Sequence, residues 1–99
     1  MKSDIDKLYK AFESRIRLGI MSALIVNDTH DYNTLKSLLD ITDGNLASHL
    51  SGLEKENFIK VKKEFVGKKT KTSYTATAAG RKAFYQHLDA LENILKKHQ

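Results

Sequence analysis

Apolar positions in this chain follow a helical period for the first half, change to a strand-like pattern once, and then return to it. Ile5, Leu8, Tyr9 and Phe12 recur at i, i+3, i+4 and i+7, which predicts one helix face after a Ser3 N-cap. Ser14 reads as a second cap. Ile16, Ile20, Met21, Leu24 and Ile25 continue a helix from there to about Val26. Leu18 lies off that stripe, so this helix is expected to be buried on more than one side. Asn27–Asp31 is polar and turn-like, with space for a very short strand near 30–32.

A third helix is expected over 33–39, burying Leu35, Leu38 and Leu39, with Tyr32 one turn earlier. Asp40–Asp43 is a short break. Thr42 is placed to cap the next helix, and Asp43 complements the positive end of its dipole. Leu46, Leu50 and Leu53 form the core stripe of that helix. It should end near Glu56, with Asn57 in the left-handed position that glycine usually fills.

The period then changes. Phe58–Val66 mixes β-branched and aromatic residues with lysines and reads as a strand; Thr70–Thr75 reads as its return. Gly67-Lys68-Lys69 makes the turn of a hairpin with a basic tip. Thr77 or a neighbour caps the last helix, whose Phe84, Leu88, Leu91 and Leu95 form a heptad-like seam widened by Ile94. That helix is too long for one small core to cover. The expected fold is therefore mainly α with a small β-hairpin, in the order α-α-α-α-β-β-α, as one domain over residues 1–99.

Composition narrows the function classes. The 99 residues include no cysteine, which excludes disulfides and thiolate metal sites. The four histidines, His30, His49, His87 and His98, are scattered, and no metal site or cofactor is expected. No phosphate-binding glycine loop, nucleophile motif or carboxylate pair appears, so an enzyme is not expected. No apolar run is long enough to span a membrane, and the N-terminus lacks the apolar core of a signal peptide. A cytoplasmic location is the expectation. The net charge is +5, but residues 55–82 alone carry +7 and the remainder −2. A lysine-rich hairpin can be a merely solvated turn; clustered lysines are also the footprint of a polyanion partner.

Two short helices joined by a few residues and followed by a basic hairpin suit a helix-turn-helix over about 33–57 with a wing over about 58–76. With 100° per residue, Gly44, Ser48, Ser51 and Lys55 fall broadly opposite the Leu46–Leu50–Leu53 stripe, and Asn45 flanks them. Asparagine can pair bidentately with adenine, serine can donate or accept, and glycine permits close approach. Ala47 can meet a thymine methyl or simply pack. His49 lies only about 60° from the core stripe, so a half-buried hydrogen-bonded role and a DNA contact both stand open. Asp43 reads as a cap. Lys55, Lys62, Lys68, Lys69 and Lys71 are the candidate phosphate contacts. Phe58, Phe65 and Tyr74 fit a core better than a base-stacking platform, which argues against single-stranded RNA.

The words RIRLGIMSAL (15–24), LKSLLDITDGNLASHLSGLEKENFI (35–59) and TATAAGRKAF (75–84) resemble winged-helix regulators of the MarR/ArsR broad class. The resemblance is nearest to a small subgroup of winged-helix DNA-binding transcriptional regulators of similar length. It implies double-stranded DNA as partner and a homodimer over a palindromic site. It also implies dimer contacts from the terminal helices; the apolar stripes there are Ile5, Leu8 and Phe12, with Leu88, Leu91 and Leu95. Asn57 stands where the family often has glycine, and Lys69-Thr70 where it often has a basic-proline pair. The metal-binding cysteines of the arsenic-repressor branch are absent, so its metal sensing is not implied. A winged helix used for protein–protein interaction is the competing expectation, because fold does not fix function. The sequence identifies no small-molecule effector.

Overall fold

The computed structural model describes residues 1–99. The chain runs through α1 (Lys2–Asp6), a 3₁₀ turn (Lys10–Phe12), α2 (Arg15–Val26), β1 (Thr29–Asp31) and α3 (Tyr32–Leu39). It continues through α4 (Asp43–Lys55), β2 (Ile59–Val66), β3 (Lys69–Ala76) and α5 (Ala78–Lys96). This is the winged helix-turn-helix order expected from the sequence, with a three-stranded antiparallel sheet ordered β1-β3-β2.

Local signals set most boundaries. Ser14, Thr42 and Thr77 each accept a hydrogen bond from the amide three residues on, capping α2, α4 and α5. Asp31 does the same for α3 through Thr34. Asn57 adopts φ 62°, as expected, and Asp40 ends α3 at φ 49°. Both residue types tolerate the left-handed region because a short polar side chain can bond locally. Gly67 has φ +66° and is the only one of the two turn residues with positive φ, the pattern of a type II′ hairpin turn.

The core gathers Ile20, Met21 and Leu24 from α2, Leu35 from α3, and Leu46, Leu50 and Leu53 from α4. Ile59, Tyr74 and Ala76 close it from the sheet, and Ala83 and Phe84 from α5. Leu38 departs from expectation: it is 59% exposed, because α3 turns only Leu35 fully inward and Leu39 partly.

The first helix also departs. It is interrupted after Asp6, and Tyr9 is extended at φ −96°, ψ 123°. The Tyr9 amide donates to Nδ1 of His87 at 3.0 Å instead of to the carbonyl one helical turn back, and the Tyr9 hydroxyl bonds Gln86. Phe12 then turns into the subunit. Its ring centroid lies 5.4 Å from Phe58, 5.6 Å from Phe84 and 5.3 Å from His87. Phe12 is 3% exposed, so it belongs to the core and not to a free stripe between subunits.

Candidate nucleic-acid interface

Helix α4 separates its faces cleanly. Leu46, Leu50 and Leu53 are buried, whereas Gly44, Asn45, Ser48, Ser51 and Lys55 are exposed. These five carry no carboxylate, and the exposed acidic residues of the helix are Asp43 in its first turn and Glu54 near its end. The helix entry is fixed from outside this face. Thr42 Oγ1 accepts from the Asn45 amide at 3.3 Å. Tyr32 donates its hydroxyl to the Asp43 carbonyl at 3.0 Å, and Lys36 Nζ sits 3.1 Å from the Asp43 carboxylate. The hydrogen bond and charge of Lys36 hold the Asp43 carboxyl below its usual range. Asp43 is thus committed to structure, but as a first-turn partner of Lys36 and Tyr32; the cap is Thr42.

His49 is committed as well. Arg17 Nε on α2 donates to His49 Nδ1 at 3.0 Å. Burial, with the nearby Arg17 charge, keeps the imidazole pKa below its ordinary value, consistent with a ring that must accept. A Cβ at Gly52 would overlap the Arg17 guanidinium, so that bare position admits the brace. His49 is half-buried and hydrogen-bonded, which is one of the two roles open for it. It joins α2 to α4 and is not among the exposed residues of the groove-facing set.

The hairpin register sorts the wing lysines by face. Val61 pairs with Tyr74, Lys63 with Thr72 and Phe65 with Thr70. Alternation places these six on one sheet face, the one whose root packs against α4. Lys62, Glu64, Lys69 and Lys71 occupy the opposite face, where Lys62 Nζ lies 3.8 Å from Glu64. Lys68 sits in the turn itself. Lys55, Lys62, Lys68, Lys69 and Lys71 are all exposed. Lys63 and Lys60 are exposed on the same hairpin and were not among the candidates; the strand register places Lys63 on the face toward α4. Lys63 lines a cleft with Asp31, Asn33, Thr70 and Thr72, where α3 begins beside the wing. Phe65 contradicts its expected place in the core: it is 80% exposed, because the hairpin outruns every helix that could cover it.

At the termini, Ile5, Leu88, Leu91 and Leu95 are exposed and Leu8 is half-buried. The N-terminal segment packs along α5, and Lys97 Nζ lies 3.9 Å from buried Asp4. No helix is long and apolar enough to cross a membrane.

Comparison with known proteins agrees with this fold. Residues 16–95 match the family model of the winged helix DNA-binding domain. An uncharacterized protein of Methanocaldococcus jannaschii is 37% identical over 89 residues, covering 86% of this chain and 97% of its own length. The structure of a transcriptional regulator homologue from Pyrococcus horikoshii superposes with a TM-score of 0.80 at 26% identity, covering 95% of this chain and 98% of that one. A MarR-family transcriptional regulator from Silicibacter pomeroyi shares the fold, with a TM-score of 0.69 at 16% identity over 89% of this chain and 58% of that one. The chain belongs to the winged helix DNA-binding domain family and is a DNA-binding transcriptional regulator of MarR-like fold.

Proposed function

We propose that the chain reads a palindromic double-stranded DNA site as a homodimer, in the cytoplasm. The observation that carries this reading is the exposed face of α4. Gly44, Asn45, Ser48 and Ser51 have no packing duty, lie on the helix that the fold offers to the major groove, and stand beside a basic hairpin. Asn45 and Ser48 near the helix N-terminus are the base readers, with Gly44 allowing close approach and Ser51 and Lys55 following the groove. Lys63, Lys68, Lys69 and Lys71 supply sequence-independent affinity through phosphate contacts.

The dimer rests on a second observation. Ile5, Leu88, Leu91 and Leu95 leave an apolar strip exposed where both termini meet. A two-fold axis there pairs the strip with itself. Isologous pairing of protein surfaces requires a palindromic site with half-sites about one helical turn, or a multiple of it, apart.

Selection of bound duplexes from random DNA, with light scattering of the free protein, tests both halves. The expected results are a palindromic consensus and a mass near twice 11.2 kDa. A monomer at micromolar concentration removes the dimer. A pool that yields no consensus, with binding insensitive to salt, removes DNA reading and favours a protein-interaction role.

A further inference from the structure

Phe65 is the most exposed large apolar side chain in the molecule, at 80%, and neighbouring Val66 is 59% exposed. It does not sit at random on the hairpin. Phe65 shares a sheet face with Val61 and Tyr74, which line a cleft against Ala47, Leu50, Ser51 and Glu54 of α4. It therefore projects toward the side of the wing where α4 meets DNA, four residues past Val61. At the rise of a strand that is about 13 Å. The step from a major groove to the adjacent minor groove is half a helical turn, about 17 Å.

The surroundings of Phe65 select the partner. Lys63 shares the face of Phe65 and Lys68 lies in the adjoining turn, both exposed, while Lys69, Lys71 and Glu64 stand on the opposite face of the hairpin. Gly67 at the tip has nothing within 4 Å of where a Cβ would stand. An apolar protein surface would have to strip water from these lysines without pairing them. A duplex offers both complements at once: phosphate rims for the lysines and flat apolar base faces between them. The minor groove, about 6 Å wide, takes a ring from the hairpin tip but not a two-stranded ribbon lying flat.

We propose that Phe65 is a wedge that enters the minor groove beside the α4 contact, partly unstacks one base step and bends the duplex. Apolar wedges act in this way on steps that unstack cheaply. The protein then selects a flexible pyrimidine–purine step at a position that α4 never touches, because such steps deform at least cost. This rests on the DNA reading proposed above and adds a specificity determinant outside the recognition helix.

The test uses a duplex selected from random DNA by the unaltered protein, with single adenines replaced by fluorescent 2-aminopurine. The unaltered protein should raise emission severalfold at one step outside the α4 contact. Phe65→Ala should leave that emission at the free-duplex level and weaken binding about tenfold, the order expected for losing one aromatic–base contact. Its salt slope should be unchanged because no charge is lost. Phe65→Leu should keep part of the signal. Both variants should melt like the parent, since the side chain is exposed. Phe65→Ala that keeps full affinity, emission and step preference overturns the wedge and leaves DNA reading intact. Phe65→Ala that lowers the light-scattering mass also overturns it, since the ring then serves contact with a second copy. An unaltered protein that selects no duplex defeats the underlying reading, and the wedge with it.

Discussion

Replacing Gly80 with alanine should destabilise the protein, although the same change inside a helix ordinarily stabilises it by up to about 1 kcal/mol. Gly80 lies in the first turn of α5, where its amide bonds the Thr77 hydroxyl at 2.9 Å. A Cβ there would stand 2.8 Å from the carbonyl carbon of Phe58 and 3.0 Å from its Cα, with the carbonyl oxygen closer still. Ordinary carbon–carbon contact is about 3.5–4.0 Å, so α5 and the Phe58 backbone must separate by on the order of 1 Å. The obstacle is backbone, which cannot swing aside as a side chain does. The shift pulls on two bonds that tie this junction: Thr77 N–H to Phe58 O at 3.0 Å and Thr77 Oγ1 to Asn57 O at 2.8 Å. Overpacking costs about 1–3 kcal/mol, and each weakened hydrogen bond about 0.5–1.5 kcal/mol. A net loss of about 1–5 kcal/mol remains after the helix-propensity gain. Urea unfolding followed by circular dichroism measures it. Gly44→Ala is the control: nothing lies within 4 Å of its Cβ position, so stability should hold or rise. A Gly80→Ala midpoint equal to or above the parent's would refute the reasoning.

Three further predictions concern the interface and one histidine. Asn45→Ala should melt normally yet lose about 1–3 kcal/mol on the preferred duplex and little on random DNA, with Ser48→Ala weaker in the same direction; unchanged specificity removes Asn45 as a base reader. Lys68→Ala with Lys69→Ala should weaken binding to all duplexes alike and flatten the slope of log affinity against log salt by about two, read by titration; an unchanged slope makes both bystanders. Burial holds the His87 imidazole below its ordinary pKa, with Glu13 opposing, while Nδ1 accepts from the Tyr9 amide. The unfolded chain therefore takes up this proton near pH 6.5, before the folded chain does. The stability contribution is full above that pH and is lost as pH falls below it. His87→Gln should flatten part of the loss between pH 7 and 5, with His49, also shifted downward, accounting for another part. Urea midpoints at several pH values check this, and a variant as acid-sensitive as the parent removes the role.

Features whose causes lie within a turn or a strand of the residue were legible in the order of the amino acids. Ser14, Thr42 and Thr77 cap the amides three residues on, so their helix starts follow from residue type and the apolar spacing behind them. Asn57 ends α4 in the left-handed region because its own short side chain permits it. The Leu46, Leu50 and Leu53 stripe separates a buried face of α4 from a polar one by geometry alone. Features whose partners are far along the chain came from packing. His87, 78 residues away, takes the Tyr9 amide and breaks a helix whose apolar spacing was unblemished. That break sends Phe12 inward, while its former stripe-mates Ile5 and Leu8 stay outside or at the edge. Arg17, 32 residues from His49, bonds a side chain that helical geometry left between core and groove. Phe65 is the sharpest case. Alternation gives its sheet face, but whether that face is covered depends on how far α4 reaches along the hairpin, and α4 stops short of it. Hydrophobic pattern says which side chains would gain from burial; only the packed elements say which of them find a neighbour.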